Sequence, residues 1–522
     1  MEKEVNKSSA DLILFNANVL TMEQTNPRAE LVAIGGSRII GVGSNSDCGA
    51  FQGNQTMLID CEGKTIIPGF YDAHMHVFAL VSSLLSLDCG PPSVSSIVDI
   101  QRLIATRAKQ TPQGSWIKGA EYNEFYLAEK RHPTRWDLDQ AAPSHPVKLA
   151  HRTRHACVLN SIALSLAGIN KETPDPSGGL IDRDYETGEP TGLLFGMNTY
   201  LSENVIPPLS AEEMDEGIRQ TNEILLASGV TSLQDATAHN GLAQWEHFQG
   251  IKDAGKLKSR ITMMFSFDAL GQFQELGLCP GSGDENLRLG MVKIITDETR
   301  GMLNPSQEAL NEMVLSAHKA GFQVAIHAIE ENTVEAAISA LEYALHQMPK
   351  TDHRHRIEHC SECPPHLLRR LKETQATVVT QPAFLYYGGE RYLLEVAPSK
   401  LPWLYRIGSF WDSGIRVVGS SDGPVISLNP LIGIYAAVTR RAENGQLLSP
   451  QEAISPWQAL WMYTMGGAYA SFEEDIKGSI AVGKMADLVV LSADPTQVRA
   501  EEIKEITVGK TIMGGKVVWE RS

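Results

Sequence analysis

The chain has 522 residues, 43% of them hydrophobic, and a formal net charge of −17. Such a length supports one large domain with additions, or two or three ordinary ones, around a sizeable buried core. The charge, with no run of Lys or Arg to track a phosphate backbone, excludes nucleic acid and anionic membrane surfaces as expected partners.

The N-terminal stretch Met1 to Ser9 is charged and polar, so it lacks the apolar core of a signal peptide. No apolar run approaches the roughly 18 residues of a membrane span. Seven scattered cysteines (Cys48, Cys61, Cys89, Cys157, Cys279, Cys360, Cys363) read as free thiols of a reducing compartment. The expectation is a cytoplasmic protein. Cys360 and Cys363 form a CxxC with no second such pair and with Pro364-Pro365 behind it, so buried or loop thiols are expected there rather than redox or zinc chemistry.

From Asp11 to Leu20, Glu30 to Gly36 and Arg38 to Gly43, short β-branched runs alternate with Gly, Asn and Ser, the signature of strands and turns. Ala486 to Leu491, Ile506 to Val508 and Thr511 to Trp519 have the same texture. Neither end is large enough for a good core alone, so the two are expected to pair into one small composite β-sandwich, residues 1–66 with 477–522.

Between them, after an apolar entry and a Pro-Gly break at Ile66 to Gly69, strand-like runs alternate with helical patterns. The clearest strands are Val230 to Gln234, Met291 to Ile295, Gln323 to His327, His355 to His359, Thr377 to Thr380 and Ile415 to Gly419. Helices fit between, for example Ser306 to Ala320 and Thr333 to Leu345. Over residues 67–476 this alternation reads as a (β/α)8 TIM-like barrel, with a doubly wound sheet as the alternative α/β architecture. A stretch of about 77–208, rich in Pro, Gly and polar residues, is too long for a simple connection and reads as an inserted subdomain.

His74 and His76 end the first barrel segment with one residue between them. On an extended strand they share a face, as two imidazoles must to share a metal ion. Lys293, His327, His359 and Asp422 follow at strand ends, at steps of 34, 32 and 63 residues. A βα unit takes about 30 or more residues, so these steps fit one, one and two units. In a parallel barrel such strand ends converge on one face.

The order His-x-His, Lys, His, His, Asp resembles the amidohydrolase superfamily. The phrases Pro68 to His76, Pro133 to Asp139, His155 through Asn160 to Leu164, Gly290 to Lys293, Arg356 to His359 and Ser421-Asp422 resemble its amidohydrolase family 3 branch, which includes N-substituted formamide deformylase-like enzymes. Gly478 to Val490 resembles the end of that superfamily's composite β-sandwich. The resemblance implies a binuclear centre of two divalent ions, zinc by default. His74 and His76 with Asp422 would hold one metal, His327 and His359 the second, and Lys293, carboxylated by carbon dioxide, would bridge both. It implies hydrolysis of an amide-like C–N bond of a small molecule by a metal-activated hydroxide, with Asp422 as general base. His155 would contact substrate, and a homodimer is the default assembly.

Three departures border the expected substrate space. After the lysine the chain reads Thr296-Asp297-Glu298-Thr299-Arg300 in place of Asp-Gly and small residues. After His327 it reads Ala328-Ile329-Glu330-Glu331 in place of a Gly-Asp pair, and Gly196 stands near a commonly seen Glu. Two rivals follow. His327 with Glu330 three residues on fits a mononuclear deaminase of aminated heterocycles, with Glu330 as proton donor, though that design does not use Lys293. A non-catalytic scaffold would have lost ligands, and here every one is present. Asp235 could face the barrel mouth or bond locally, and Arg356 and Glu358 are expected as strand-flanking pairs.

Overall fold

The computed structural model describes residues 9–176, 178–298 and 302–522. The readings of Met1 to Ser8 and of Thr299 and Arg300 lie outside the described residues. The chain forms two compact units, one of residues up to His76 with Asn222–Ser522, the other Val77–Thr221. Among the described residues no helix is long and apolar enough to cross a membrane.

The first unit is built on eight parallel strands hydrogen-bonded in sequence order: β1 (Phe70–Met75), β2 (Val230–Asp235), β3 (Arg260–Ser266), β4 (Leu287–Ile295), β5 (Val324–Ala328), β6 (Arg356–His359), β7 (Thr377–Thr380) and β8 (Val417–Gly419). They are buried almost end to end, as parallel strands covered on both faces are. The last strand returns to the first at the mouth, where Met75 bridges Gly423. Asp422 N–H donates to His74 O and His76 N–H to Gly423 O, both at 2.8 Å. The sheet is thus a nearly closed (β/α)8 barrel.

Strand β3 escaped the sequence reading because Arg260-Ile261-Thr262-Met263-Met264-Phe265-Ser266 is poor in β-branched residues. Packing places it: its Arg260 clamps Asp487 with two bonds, of 2.6 and 3.1 Å. The helices Gln307–Lys319 and Glu331–Gln347 cover the barrel with their buried Leu, Val and Ala faces, and the Ser306 side chain caps the first by accepting from Ala309 N–H.

The expected single strand from Asp11 to Leu20 is two. Asn16 takes φ +51°, a left-handed conformation that Asn tolerates, and its side chain donates to Asp60 at 2.7 Å. The chain breaks there, sending Leu12–Phe15 into a four-stranded sheet and Asn18–Leu20 into a six-stranded one. In the six-stranded sheet Thr65–Pro68 pairs antiparallel with Leu488–Leu491, Val489 opposite Ile67. Leu14, Val32 and Ile66 from one end of the chain pack with Leu488, Val490 and Ile512 from the other. Each such fully buried side chain contributes about 1.5–3 kcal/mol.

The second unit has a six-stranded mixed sheet, ordered Leu180–Arg183, Pro190–Phe195, Ala156–Leu159, Val147–His151, Ile117–Tyr122, Leu87–Asp88. Helix Ile97–Ala108, capped by Ser96, and helix Arg135–Ala141, held by a Thr134/Asp137 capping box, pack Ile100, Ile104 and Leu138 against Val147, Leu149 and Val158. It ends at Thr221, inside helix Ala211–Ala227, beyond the expected limit of 208.

Candidate metal centre at the barrel mouth

Strand alternation turns His74 into the barrel, and the chain then leaves β1 through His76. The ring nitrogens of both and a carboxylate oxygen of Asp422 lie within 4.8 Å of one another. His76 Nε2 stands 3.1 Å and His74 Nε2 3.5 Å from Asp422 Oδ1. Asp422 reaches this point with φ +58°, and His359 ends β6 with φ +68°. Left-handed backbone at residues other than Gly costs about 1–3 kcal/mol and persists where the surroundings over-determine it. At Asp422 the bond to His74 O holds it, and so does Asp72, whose carboxylate accepts from Ser421 N–H at 3.0 Å and from Ser421 Oγ at 2.5 Å. Burial pushes the Asp72 carboxyl up to about 6 against those bonds.

The other strand ends complete the cluster. The rings of His74 and His359 are centred 4.9 Å apart and those of His359 and His327 4.5 Å apart. Lys293 near the end of β4 is 3% exposed, and its Nζ has no hydrogen-bond partner. Burial pushes its pKa down to about 8, although Glu358 and Asp422 pull it the other way. The structure therefore brings together all six residues that the spacing singled out.

Side chains behind the cluster fix how it faces. His74 Nδ1 lies 2.5 Å from Glu358 Oε2; the carboxylate can only accept, so Nδ1 carries the hydrogen and Nε2 is left toward Asp422. His359 Nδ1 meets Gln381 Oε1 at 2.7 Å, which presents its Nε2 in the same way, while His76 Nδ1 meets the Thr237 hydroxyl, able to donate or accept, at 3.2 Å. Burial, then the Lys293 charge, pushes His74 down to about 3, so its ring is neutral and able to ligate. Burial raises the Asp422 carboxyl, but the His76 bond and the neighbouring imidazoles outweigh it and hold it below the usual carboxylate range.

Arg356 and Glu358 are not strand-flanking pairs. Both are 0% exposed inside the barrel, joined by bonds of 2.5 and 2.8 Å, with Arg356 also donating to Gln234 Oε1 and to Ala73 O. The missed signal was their i, i+2 spacing, which puts both on the inward face of a strand that ends in His359. Gln381, just past β7, carried no sequence signal.

Asp235 is fully buried at the end of β2 and accepts from Asn240 Nδ2 at 2.7 Å and Thr237 N–H at 3.1 Å, closing the turn that presents Thr237 to His76. Glu330 is exposed at the N-terminal cap of its helix, where its carbonyl accepts from Thr333 Oγ1 at 2.8 Å. Glu331 lies 3.9 Å from Lys400 Nζ, and Glu298 accepts from Asn332 at 3.0 Å. His155 is exposed on the second unit, next to strand Ala156–Leu159, and its carbonyl accepts from Gly196 N–H at 2.9 Å. Gly196 has φ +66°, and a Cβ there would lie 2.2 Å from Gly178 O, so no Glu fits that position.

Imidazole nitrogens with a carboxylate suit zinc, manganese, iron or nickel, and a buried unpaired amine among them suits a lysine that acquires an anionic group. The donor set thus fits a divalent centre.

Residues 57–519 match the model described as amidohydrolase family. The chain is 30% identical to the N-substituted formamide deformylase of Arthrobacter pascens, over 98% of this chain and 99% of that one. It is 28% identical to the YtcJ protein of Bacillus subtilis strain 168, over 97% and 98%. Among solved structures, an uncharacterized metal-dependent hydrolase from Pyrococcus furiosus is 25% identical with a TM-score of 0.73, covering 93% of this chain and 100% of its own.

Proposed function

The chain belongs to the amidohydrolase family and is a hydrolase acting on carbon–nitrogen bonds, and from that premise we propose that it cleaves N-substituted amides of the formamide type. The observation that carries the reading is the buried, unpaired Lys293 amine amid His74, His76, His327, His359 and Asp422. His74, His76 and Asp422 would hold one divalent ion, His327 and His359 a second, and Lys293 as its carbamate both; zinc is the first choice. Bound there, the ions supply acidification of a water and polarisation of the scissile carbonyl.

The chain's own groups handle the protons. Asp422, held ionised, accepts the proton of the attacking water as its oxygen bonds to the carbonyl carbon, then delivers it to the nitrogen as the C–N bond breaks. Glu358 and Gln381 hold His74 and His359 in the tautomers that keep Nε2 free. Glu330, exposed and bonded to Thr333, is not favoured as an acid to a ring nitrogen. The two sheets made from both chain ends are read as the composite β-sandwich, residues 1–66 with 477–522.

The test is incubation with N-benzylformamide in the presence of zinc and bicarbonate. Formate and benzylamine in equal amounts, lost in Asp422→Asn, are expected. Ammonia from adenine with no formate from the amide would refute formamide hydrolysis and assign deamination.

A further inference from the structure

At the end of the barrel opposite the metal-site histidines, the starts of β3 and β4 and the approaches to β5 and β6 line a solvent-open recess of about 230 Å³. The N-terminal face of a barrel ordinarily serves stability. This one is shaped and charged. Leu289, Met291, Phe472 and Pro280 supply apolar wall. The His353 ring is wall too, because both its nitrogens are engaged: Nδ1 accepts from His355 N–H at 2.9 Å and Nε2–H donates to Thr374 O at 2.8 Å.

The donors left over are cationic. Arg288 shares Glu473 with Lys477: Nη1 stands 3.2 Å and the Lys477 ammonium 2.8 Å from that carboxylate, which also accepts from Tyr71 OH at 3.0 Å. One buried negative charge is thus divided between two cations. Lys350, exposed at the rim, forms no ion pair among the described residues. Gly281 makes room for the guanidinium, since a Cβ there would lie 2.5 Å from Arg288 Nη2, while a Cβ on Gly321 would meet open space. Phe472, 46% exposed at φ +58°, is held by the Arg354 guanidinium stacked 4.2 Å from its ring centre. In a chain of net charge −17 this is a locally positive recess with an apolar floor.

We propose that this cavity binds a small organic carboxylate, its charge between Arg288 and Lys350 and its apolar body against Leu289, Met291 and Phe472. An inorganic anion would satisfy the cations and leave the apolar wall unused, so the organic acid is the better fit.

Calorimetric titration of the full-length, metal-loaded protein with benzoate tests this, beside benzyl alcohol and inorganic phosphate. One benzoate per chain is expected, with no binding of the alcohol and weaker binding of phosphate. Lys350→Glu, a change at an exposed and unpaired residue that leaves folding intact, should weaken benzoate at least tenfold, and Arg288→Gln should do the same. A His74→Ala/His76→Ala variant should bind benzoate as the parent does. Benzoate binding that survives Lys350→Glu, or that disappears with the two histidines, would place the acid at the metal centre and overturn the proposal. So would absence of benzoate binding, or phosphate binding more tightly than benzoate.

Discussion

Lys293→Met should stabilise the metal-free protein while destroying its capacity for metal. The parent buries an ammonium that has no hydrogen-bond partner, and burial lowers its pKa from 10.5 to about 8. At about 1.4 kcal/mol for each tenfold in the protonation equilibrium, that fall amounts to about 3 kcal/mol. The cost is fully present below about pH 8, where folded and unfolded chains both carry the proton. Between about 8 and 10.5 the folded chain has lost a proton that the unfolded chain retains, so stability rises with pH across that window. Methionine matches the lysine stem in volume and carries no charge. The assay is thermal unfolding at pH 7 in chelator, repeated with zinc and bicarbonate, with metal per chain measured beside it. The metal-free variant should melt a few °C higher than the parent, and its rise in stability above pH 8 should be smaller than the parent's, the remainder belonging to Lys252, whose pKa burial pushes down to about 7. With metal the order should reverse, since ligand at a hundredfold over Kd adds about 2.7 kcal/mol to the chain that binds it. A metal-free variant melting at or below the parent, or a rise above pH 8 as large in the variant as in the parent, would refute the reasoning.

Glu358→Gln keeps the shape but strips the charge that faces Arg356 and orients His74; zinc affinity in a competition titration should fall about 10–100-fold. Breaking that buried pair should also lower stability by about 3–5 kcal/mol, read as an earlier denaturation midpoint. His353 and His355 are buried and their pKa values are depressed by that burial, so the folded chain resists protons that the unfolded chain accepts below about pH 6.5. Stability should therefore be full above that value and decline toward pH 5, and a His355→Gln variant should show a shallower decline in urea midpoints. Gly196→Glu should destabilise by more than about 1 kcal/mol in the same assay, from the left-handed backbone and the Gly178 carbonyl in the way of a Cβ.

What the sequence disclosed and what it hid divide along physical lines. His74, His76, Lys293, His327, His359 and Asp422 were legible because parallel strands return to one rim at a regular interval, so spacing along the chain becomes proximity in space. Glu358 and Arg356 were misjudged because charged residues are ordinarily exposed, and only a partner set of Gln234, Ala73 and His74 makes their burial tolerable. Strand β3 was hidden because its methionines and its Arg260 take their conformation from neighbours and not from local preference. The break at Asn16 turns on a single φ, and Gly196 on a single carbonyl contact; neither has a periodic signature.

The seam that closes the barrel runs through the candidate metal centre itself. Asp422 N–H reaches His74 O and His76 N–H reaches Gly423 O, between segments 346 residues apart in the chain. Loop-closure entropy grows only slowly with such distances, so joining the ends is affordable, but it must await the six strands between them. An ion that needs His74, His76 and Asp422 together finds no such group on a nascent or half-assembled chain. On the proposed ligand set, metal capture would therefore serve as an inspection of the finished ring. It would lock molecules whose first and last strands have met and leave incomplete ones in the apo state.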